Sequence, residues 1–210
     1  MTVVMGHVAM SRTDLSPEWL ARAKEAGRVA WDVETSGLDF RRDEVHTCQI
    51  GLGDEIAVVQ LERGAEPRNL RALLADPAVL KVFHHAPFDL RFMAHKWDVR
   101  PASVACTKIA AKILWPGREP KAYSLQPLLE EILGVRIDKS LQVSDWSREI
   151  LSTGQMDYAA NDVRYLLELF DALTAEARAL GVADLMDASF AYLPTRIMLD
   201  LSGAGDVYLY

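Results

Sequence analysis

Residues 30–39 read AWDVETSGLD, and they set two acids, Asp32 and Glu34, on either side of a valine inside an otherwise apolar run. Residues two apart on a strand face the same side. Asp32 and Glu34 therefore project together, and Trp31 and Val33 project away from them. Carboxylates in or beside a core cost several kcal/mol unless something compensates them. A fold that accepts this strand must either expose its acidic face to water or bring a cation to it. A lone D-x-E is more often a solvated strand face, so the pair gains meaning only if further acids converge on it.

The surrounding pattern is α/β. SPEWLARAKEAG reads as a helix with Ser16 as N-cap, Pro17 at the first position and Gly27 as its stop. RVAWDVE follows as a strand. HTCQIGLG and EIAVVQL are two more, paired through Gly53 and Asp54. RNLRALLA is a short helix, VLKVFHH a strand, and PFDLRFMAHKW opens another helix. From there VACTKIAAKILW, SLQPLLEEILG and a long segment over residues 152–180 read as helical. In the last, Val163, Leu166, Leu167, Phe170, Leu173 and Ala177 keep helical spacing. A mixed sheet comes first and helices follow. The 210 residues fit one domain, with no repeat, linker or low-complexity tract. The N-terminus has no signal-peptide pattern, and no apolar run approaches membrane-spanning length. Two distant cysteines, Cys48 and Cys106, form no metal-ligand spacing and suit a reducing cytoplasm.

Two further acids can join the first pair. Asp89 sits at the start of a helix just after a strand, in FHHAPFDLRF. Asp162 sits in MDYAANDVRYLL, four residues after Tyr158, so the two share one helical face. Alone, the first reads as a helix-start acid and the second as a helix flank. Together with Asp32 and Glu34 they make an oxygen-only ligand set with no Cys/His cluster, which suits hard divalent cations such as Mg²⁺ or Mn²⁺. Two such ions can clamp a phosphodiester, and they would offset the acidic strand.

DVETSGLD, HHAPFDL and YAANDVRYLLEL resemble the three motifs of the DEDD 3′–5′ exonucleases, whose fold is RNase H-like with a mixed central sheet flanked by helices. Tyr158, four residues before Asp162, matches the tyrosine subclass; Asp157 stands where the other subclass has histidine. The segment around Lys139, Asp145 and Trp146 is similar to the RNase D branch. About 30 residues follow the long helix, too few for the HRDC domains of RNase D, so the expectation is one exonuclease domain over residues 1–210. The compact chain, with ACTKIAAKIL and FAYLPTRIMLDL, resembles most the nano-RNase C group, which acts on very short RNAs. The resemblance implies Asp32, Glu34, Asp89 and Asp162 as ligands of two divalent ions, and Tyr158 to orient or deprotonate the attacking water. It implies that Thr35, Ser36, Gly37 and Leu38 pack against the 3′-terminal nucleotide, and that His85, Lys108 and Trp146 are candidates for substrate contacts. It also implies a homo-oligomer. Val33 replaces a commoner Thr, His85 a commoner Asn, and Cys106 an Asp frequent in the RNase D type.

Other residues read two ways. His84 and His85 are more often structural than ligand contacts at a strand end. The loop WPGREPKAY, with Arg118, Lys121 and Tyr123, suits phosphate and base stacking as well as it suits a solvated connector. Met93 and Met156 read as core. The net charge of −7 leaves no basic track for a long nucleic acid. The expectation is a metal-dependent 3′–5′ exoribonuclease cutting short oligonucleotides, dinucleotides above all. The alternatives are a general RNase D-like processor, a DNA-directed exonuclease and a silent binding module.

Overall fold

The structure is a computed structural model that describes residues 3–5, 8–137, 145–146 and 151–209, with only the backbone of residues 3–5 and of 153. Lys139 lies outside the described residues. Among the described residues seven strands, β1 (Val3–Met5), β2 (Val8–Arg12), β3 (Arg28–Thr35), β4 (Val45–Leu52), β5 (Glu55–Gln60), β6 (Leu80–Phe83) and β7 (Val104–Cys106), form one sheet in the order β1-β2-β5-β4-β3-β6-β7. Strands β3, β4 and β5 run antiparallel to their neighbours in that trio, while β6 and β7 extend the sheet in parallel beyond β3. The helices are α1 (Pro17–Ala26), α2 (Arg68–Ala75), α3 (Ala86–Trp97), α4 (Thr107–Leu114), α5 (Leu125–Leu133), α6 (Thr153–Arg164), α7 (Leu166–Ala179) and α8 (Ala183–Ser202), with one 3₁₀ turn at Pro120–Tyr123. No helix among the described residues is long and apolar enough to cross a membrane.

Local chemistry explains the boundaries that matter for the site. Ser16 caps α1 by accepting the Trp19 N–H, and Gly27 ends it at φ +68°. Gly53 supplies φ +62° in the tight turn that sets Leu52 opposite Glu55. On β3, Ala30, Asp32 and Glu34 share the face that α6 covers. A Cβ on Gly51 would lie 3.3 Å from both the Ala30 Cβ and the Val163 carbonyl oxygen. That glycine therefore lets α6 press onto the sheet. The opposite face carries Trp31, whose ring stacks on Phe83 at 6.0 Å. Met93 and Met156 belong to the core.

Three elements differ from the sequence pattern. The long helix over residues 152–180 is two helices that break at Tyr165 (φ −105°, ψ 2°). The first packs on the sheet and the second on α4 and α5; one straight helix could not reach both. The segment VAC is a short parallel strand before α4 rather than part of that helix, because it pairs with β6. The N-terminal segment supplies β2, which pairs in parallel with β5.

Lys81, at the centre of β6, is fully buried, and its ammonium donates to the Asp76 carbonyl oxygen at 2.6 Å. Burial pushes its pKa down from 10.5 to about 8, against the pull of Asp76. The unfolded chain therefore binds more protons between those two values, and stability gains from this group as pH rises through that window. Denaturant unfolding of the wild type and of Lys81→Met at several pH values between about 7.5 and 10 checks this. The difference, wild type minus variant, should grow with pH by no more than about 1.4 kcal/mol per unit.

Candidate active site

Strand β3 and helix α6 bring the acids together. Asp32 and Glu34 are half-buried and Asp162 is buried, and each offers a carboxylate oxygen within 4.8 Å of the others. Asp162 reaches them because a capping box starts α6 at a fixed point: Ser152 accepts the Gln155 N–H, and the Gln155 side chain accepts the Ser152 N–H. The same Gln155 donates to the Asp145 carbonyl oxygen at 2.9 Å. This tie holds the Asp145–Trp146 stretch over the helix, and the Trp146 ring lies against Tyr158 at 5.8 Å. Tyr158 is one turn before Asp162 and hydrogen-bonds its carboxylate; burial, then the charges of Asp162 and Glu34, push the phenol pKa well up.

Asp89 completes the group from the other side of β3. It lies in the first turn of α3, is 3% exposed, and its carboxylate accepts the Val33 N–H just beyond the end of the β3–β6 ladder. Burial raises its pKa well above the ordinary value, and the nearby Asp162 adds to the rise. Asp32, Glu34 and Asp162, with Asp89 near Asp162, offer only hard oxygen donors, and such a set fits divalent cations.

A cavity of about 690 Å³ opens over these acids. The residues that the sequence offered as metal ligands, catalytic groups and substrate contacts line it: Asp32, Glu34, Asp89, Tyr158 and Asp162, with Thr35, Ser36, Gly37, Leu38, His85, Lys108 and Trp146; Arg118, Lys121, Tyr123 and Asp145 do not. The sequence reading passed over Phe88, Ser124 and Leu125, which also line the wall. Phe88 is adjacent to Asp89, and its aromatic ring beside a motif acid was the available signal. Nothing local pointed to Ser124 or Leu125.

The two histidines take different parts. His84 Nδ1 shares a hydrogen bond with the Thr107 hydroxyl at 2.9 Å, so it braces β6 against α4 while also facing the cavity. His85 is the residue before α3 and adopts φ 69°, ψ 39°, a left-handed conformation that Asn accepts more readily than His. Burial and the charges of Lys108, Arg91 and Lys112 push its pKa down. Cys106 is fully buried, and its sulfur accepts the Ala86 N–H at 3.4 Å. It serves the start of α3 and does not face the cavity.

The loop after β3 is held at both ends. Glu44 N–H donates to the Ser36 hydroxyl, Asp39 N–H to the Asp43 carboxylate, and Lys96 pairs with Glu44 at 3.2 Å. Phe40 is buried between His95, Arg41 and Arg91. The Arg91 guanidinium lies 3.9 Å from Asp200 near the end of α8, which ties the loop's support to that helix. Within this frame Leu38 is 86% exposed at the cavity mouth.

Residues 8–178 match the family model described as 3′–5′ exonuclease. Ribonuclease D of Nitrobacter hamburgensis is 31% identical over 169 residues, which are 77% of this chain and 44% of that protein. The chain spans less than half the length of the ribonuclease D relatives it matches. A solved structure of Brucella melitensis NrnC bound to pGG is 37% identical with a TM-score of 0.87, covering 97% of this chain and 98% of that one. The same protein with bound Mg²⁺ is 36% identical, again at a TM-score of 0.87 and with 97% and 98% covered. The chain belongs to the 3′–5′ exonuclease family, with the RNase H-like fold of its DEDD members and a close likeness to the NrnC branch of the RNase D-like enzymes.

Gly37 leaves no room for a side chain. A Cβ there would lie 2.3 Å from the Asp43 carboxylate oxygen that accepts the Asp39 N–H. Gly37→Ala should displace Asp43 and shift Leu38. The expected result is a KM in an exonuclease assay raised about tenfold, with a melting temperature within a few degrees of wild type, since the loop lies outside the core. Steady-state kinetics and thermal unfolding check both halves.

Proposed function

We propose that the chain is a metal-dependent 3′–5′ exoribonuclease that hydrolyses short oligoribonucleotides, dinucleotides above all, to mononucleotides. The observation that carries this reading is the carboxylate group of Asp32, Glu34 and Asp162 within 4.8 Å, at the floor of a cavity of about 690 Å³. That volume suits a small ligand rather than a long strand. The likeness to NrnC structures bound to pGG and to Mg²⁺ supports the substrate class and the cation.

In this reading Asp32, Glu34, Asp89 and Asp162 hold two divalent ions, Mg²⁺ or Mn²⁺. When bound, the ions supply positive charge that offsets these acids and the charge developing on the phosphate oxygens. The chain's own residues do the rest. Asp89, anchored by the Val33 N–H, and Asp162, anchored by Tyr158, fix where the cations and the scissile phosphate sit. Tyr158 holds the attacking water by hydrogen bonding. Its hydroxyl orients or deprotonates that water. Leu38 and the turn around Gly37 pack on the 3′-terminal nucleotide, and Trp146 fixes the Tyr158 ring. His85 and Lys108 contact the substrate.

One exonuclease domain accounts for all of these parts. The free, buried cysteines Cys48 and Cys106 support a cytoplasmic setting. A homo-oligomer is the assembly that the family resemblance implies, and the exposed Leu185 and Met198 of α8 offer apolar surface for it.

Single-turnover cleavage of 5′-labelled RNAs of two, three, seven and twenty-four nucleotides, with Mn²⁺, tests the reading. The dimer should be cut fastest, EDTA should stop cleavage, and Tyr158→Phe should lower the rate roughly 10²–10⁴-fold with little change in binding. Processing of the longest RNA at least as fast as the dimer would replace dinucleotide preference with general 3′-end trimming.

A further inference from the structure

Leu38 stands in water beside the cavity, 86% exposed, and a hydrophobic side chain is not kept there by its own chemistry. Its loop supplies one restraint. The Thr35 hydroxyl donates to the Gly37 carbonyl oxygen at 2.6 Å, and the Asp39 N–H donates to Asp43 at 2.9 Å. The other restraint lies two residues on, at Phe40. That ring is buried, and two guanidiniums lie against it, Arg41 at 4.5 Å and Arg91 at 5.8 Å from its centroid. Both guanidiniums reach Asp200. Arg41 donates to its backbone carbonyl oxygen at 3.5 Å. Arg91 lies 3.9 Å from its carboxylate while donating to the Pro87 carbonyl oxygen at 2.8 Å.

The helix that carries Asp200 gives no local reason for an acid there. Asp200 sits in the last turn of α8, where the helix dipole disfavours negative charge and where no basic residue stands. Its side chain is largely covered. Arg196, one turn earlier, donates to the Asp200 carboxylate at 3.1 Å, but the same guanidinium also pairs with Asp206 at 3.1 Å beyond the helix end. Arg196 therefore has an acid without Asp200. What Asp200 alone supplies is the tie to Arg41 and Arg91. Helix α8 packs on α3, which brings Phe88 and Asp89 to the cavity. The residues matched to the exonuclease model end at 178, before α8 begins at Ala183. The loop is thus braced from outside the stretch that carries the common exonuclease pattern.

We propose that Asp200 is a positioning residue for substrate binding. It holds Arg41 and Arg91 against Phe40, and through that clamp it keeps Leu38 at the mouth of the acidic cavity. The inference rests on the exonuclease reading and adds to it the element that presets the substrate loop. A loop ordered before the RNA arrives loses less entropy on binding. Asp200 does not line the acidic cavity, so its loss weakens binding and spares the chemistry.

The test is a double-mutant cycle of Asp200→Asn with Leu38→Ala, read as KM and kcat for cleavage of a diribonucleotide in Mn²⁺. Asp200→Asn keeps the shape and removes the charge. It should raise KM roughly five- to tenfold and hold kcat within about twofold. The melting temperature should stay within a few degrees of wild type, because partly exposed ion pairs add little stability. In the Leu38→Ala background the same change should have almost no further effect on KM, since residues that act as a unit are not additive. Arg41→Met, at an exposed side chain, should repeat the pattern. Hydrogen exchange without substrate gives a second readout: amides of residues 36–44 should exchange faster in Asp200→Asn, with those of β3 and α3 unchanged. Additive KM effects in both cycles, a loss carried by kcat, or unchanged exchange over residues 36–44 would overturn the proposal. Faster exchange over 36–44 in a chain that cleaves no RNA in Mn²⁺ would uphold the brace and fail the exonuclease reading.

Discussion

Asp32, Glu34 and Asp162 hold mutually repelling carboxylates within 4.8 Å of one another, with Asp89 on the same cavity, and much of the architecture serves to keep them there. Asp32 and Glu34 come from consecutive same-face positions of a strand in the interior of the sheet. Asp162 comes from a helix laid on that face, and Asp89 from a helix that starts where the neighbouring strand ends. No local preference favours such a group. The packing of Gly51 under Val163, the Ser152–Gln155 capping box and the Asp89 contact with the Val33 N–H hold it against electrostatic opposition. Burial first, and the neighbouring acids after it, raise the pKa values of Asp89 and Tyr158.

The site was legible in the sequence because its parts lie in regular elements with simple periods. Period two put Asp32 beside Glu34, and the four-residue step put Tyr158 beside Asp162. The helix start at Asp89 followed from the apolar strand before it. Each of these is a local relation. The break at Tyr165 was not legible, since Val163, Leu166, Leu173 and Ala177 keep helical spacing straight through it; only the need to pack one half on the sheet and the other on α4 and α5 bends the chain. The strand Val104–Cys106 was hidden for a related reason, because three residues carry no period and pairing with β6 alone defines them.

The departures from the family pattern also acquire physical meaning. Val33 turns its side chain to the core and gives its N–H to Asp89, so the residue type there matters less than its backbone. Cys106 supports the first N–H of α3 from a buried position. His85 keeps a left-handed backbone that histidine adopts less readily than Asn, at a place where its ring faces the cavity. Strain of that kind concentrates at working positions. Around this centre, positive charge is distributed unevenly: Arg91 and Lys96 are engaged in holding the loop after β3, while Lys108 and Lys112 remain turned to the open cavity.

The central claim is that divalent cations are what balances this acidic cluster, and their effect on the folded chain tests it without any substrate. A ligand that binds only the folded state stabilises it in proportion to the logarithm of its concentration over its dissociation constant. Thermal unfolding of the metal-free protein in rising Mg²⁺ or Mn²⁺, with calorimetric titration to count the ions, is the direct measurement. The account predicts two ions per chain, a melting temperature that climbs with cation concentration, and loss of most of that rise in Asp162→Asn. A melting temperature indifferent to both cations in the wild type would contradict it.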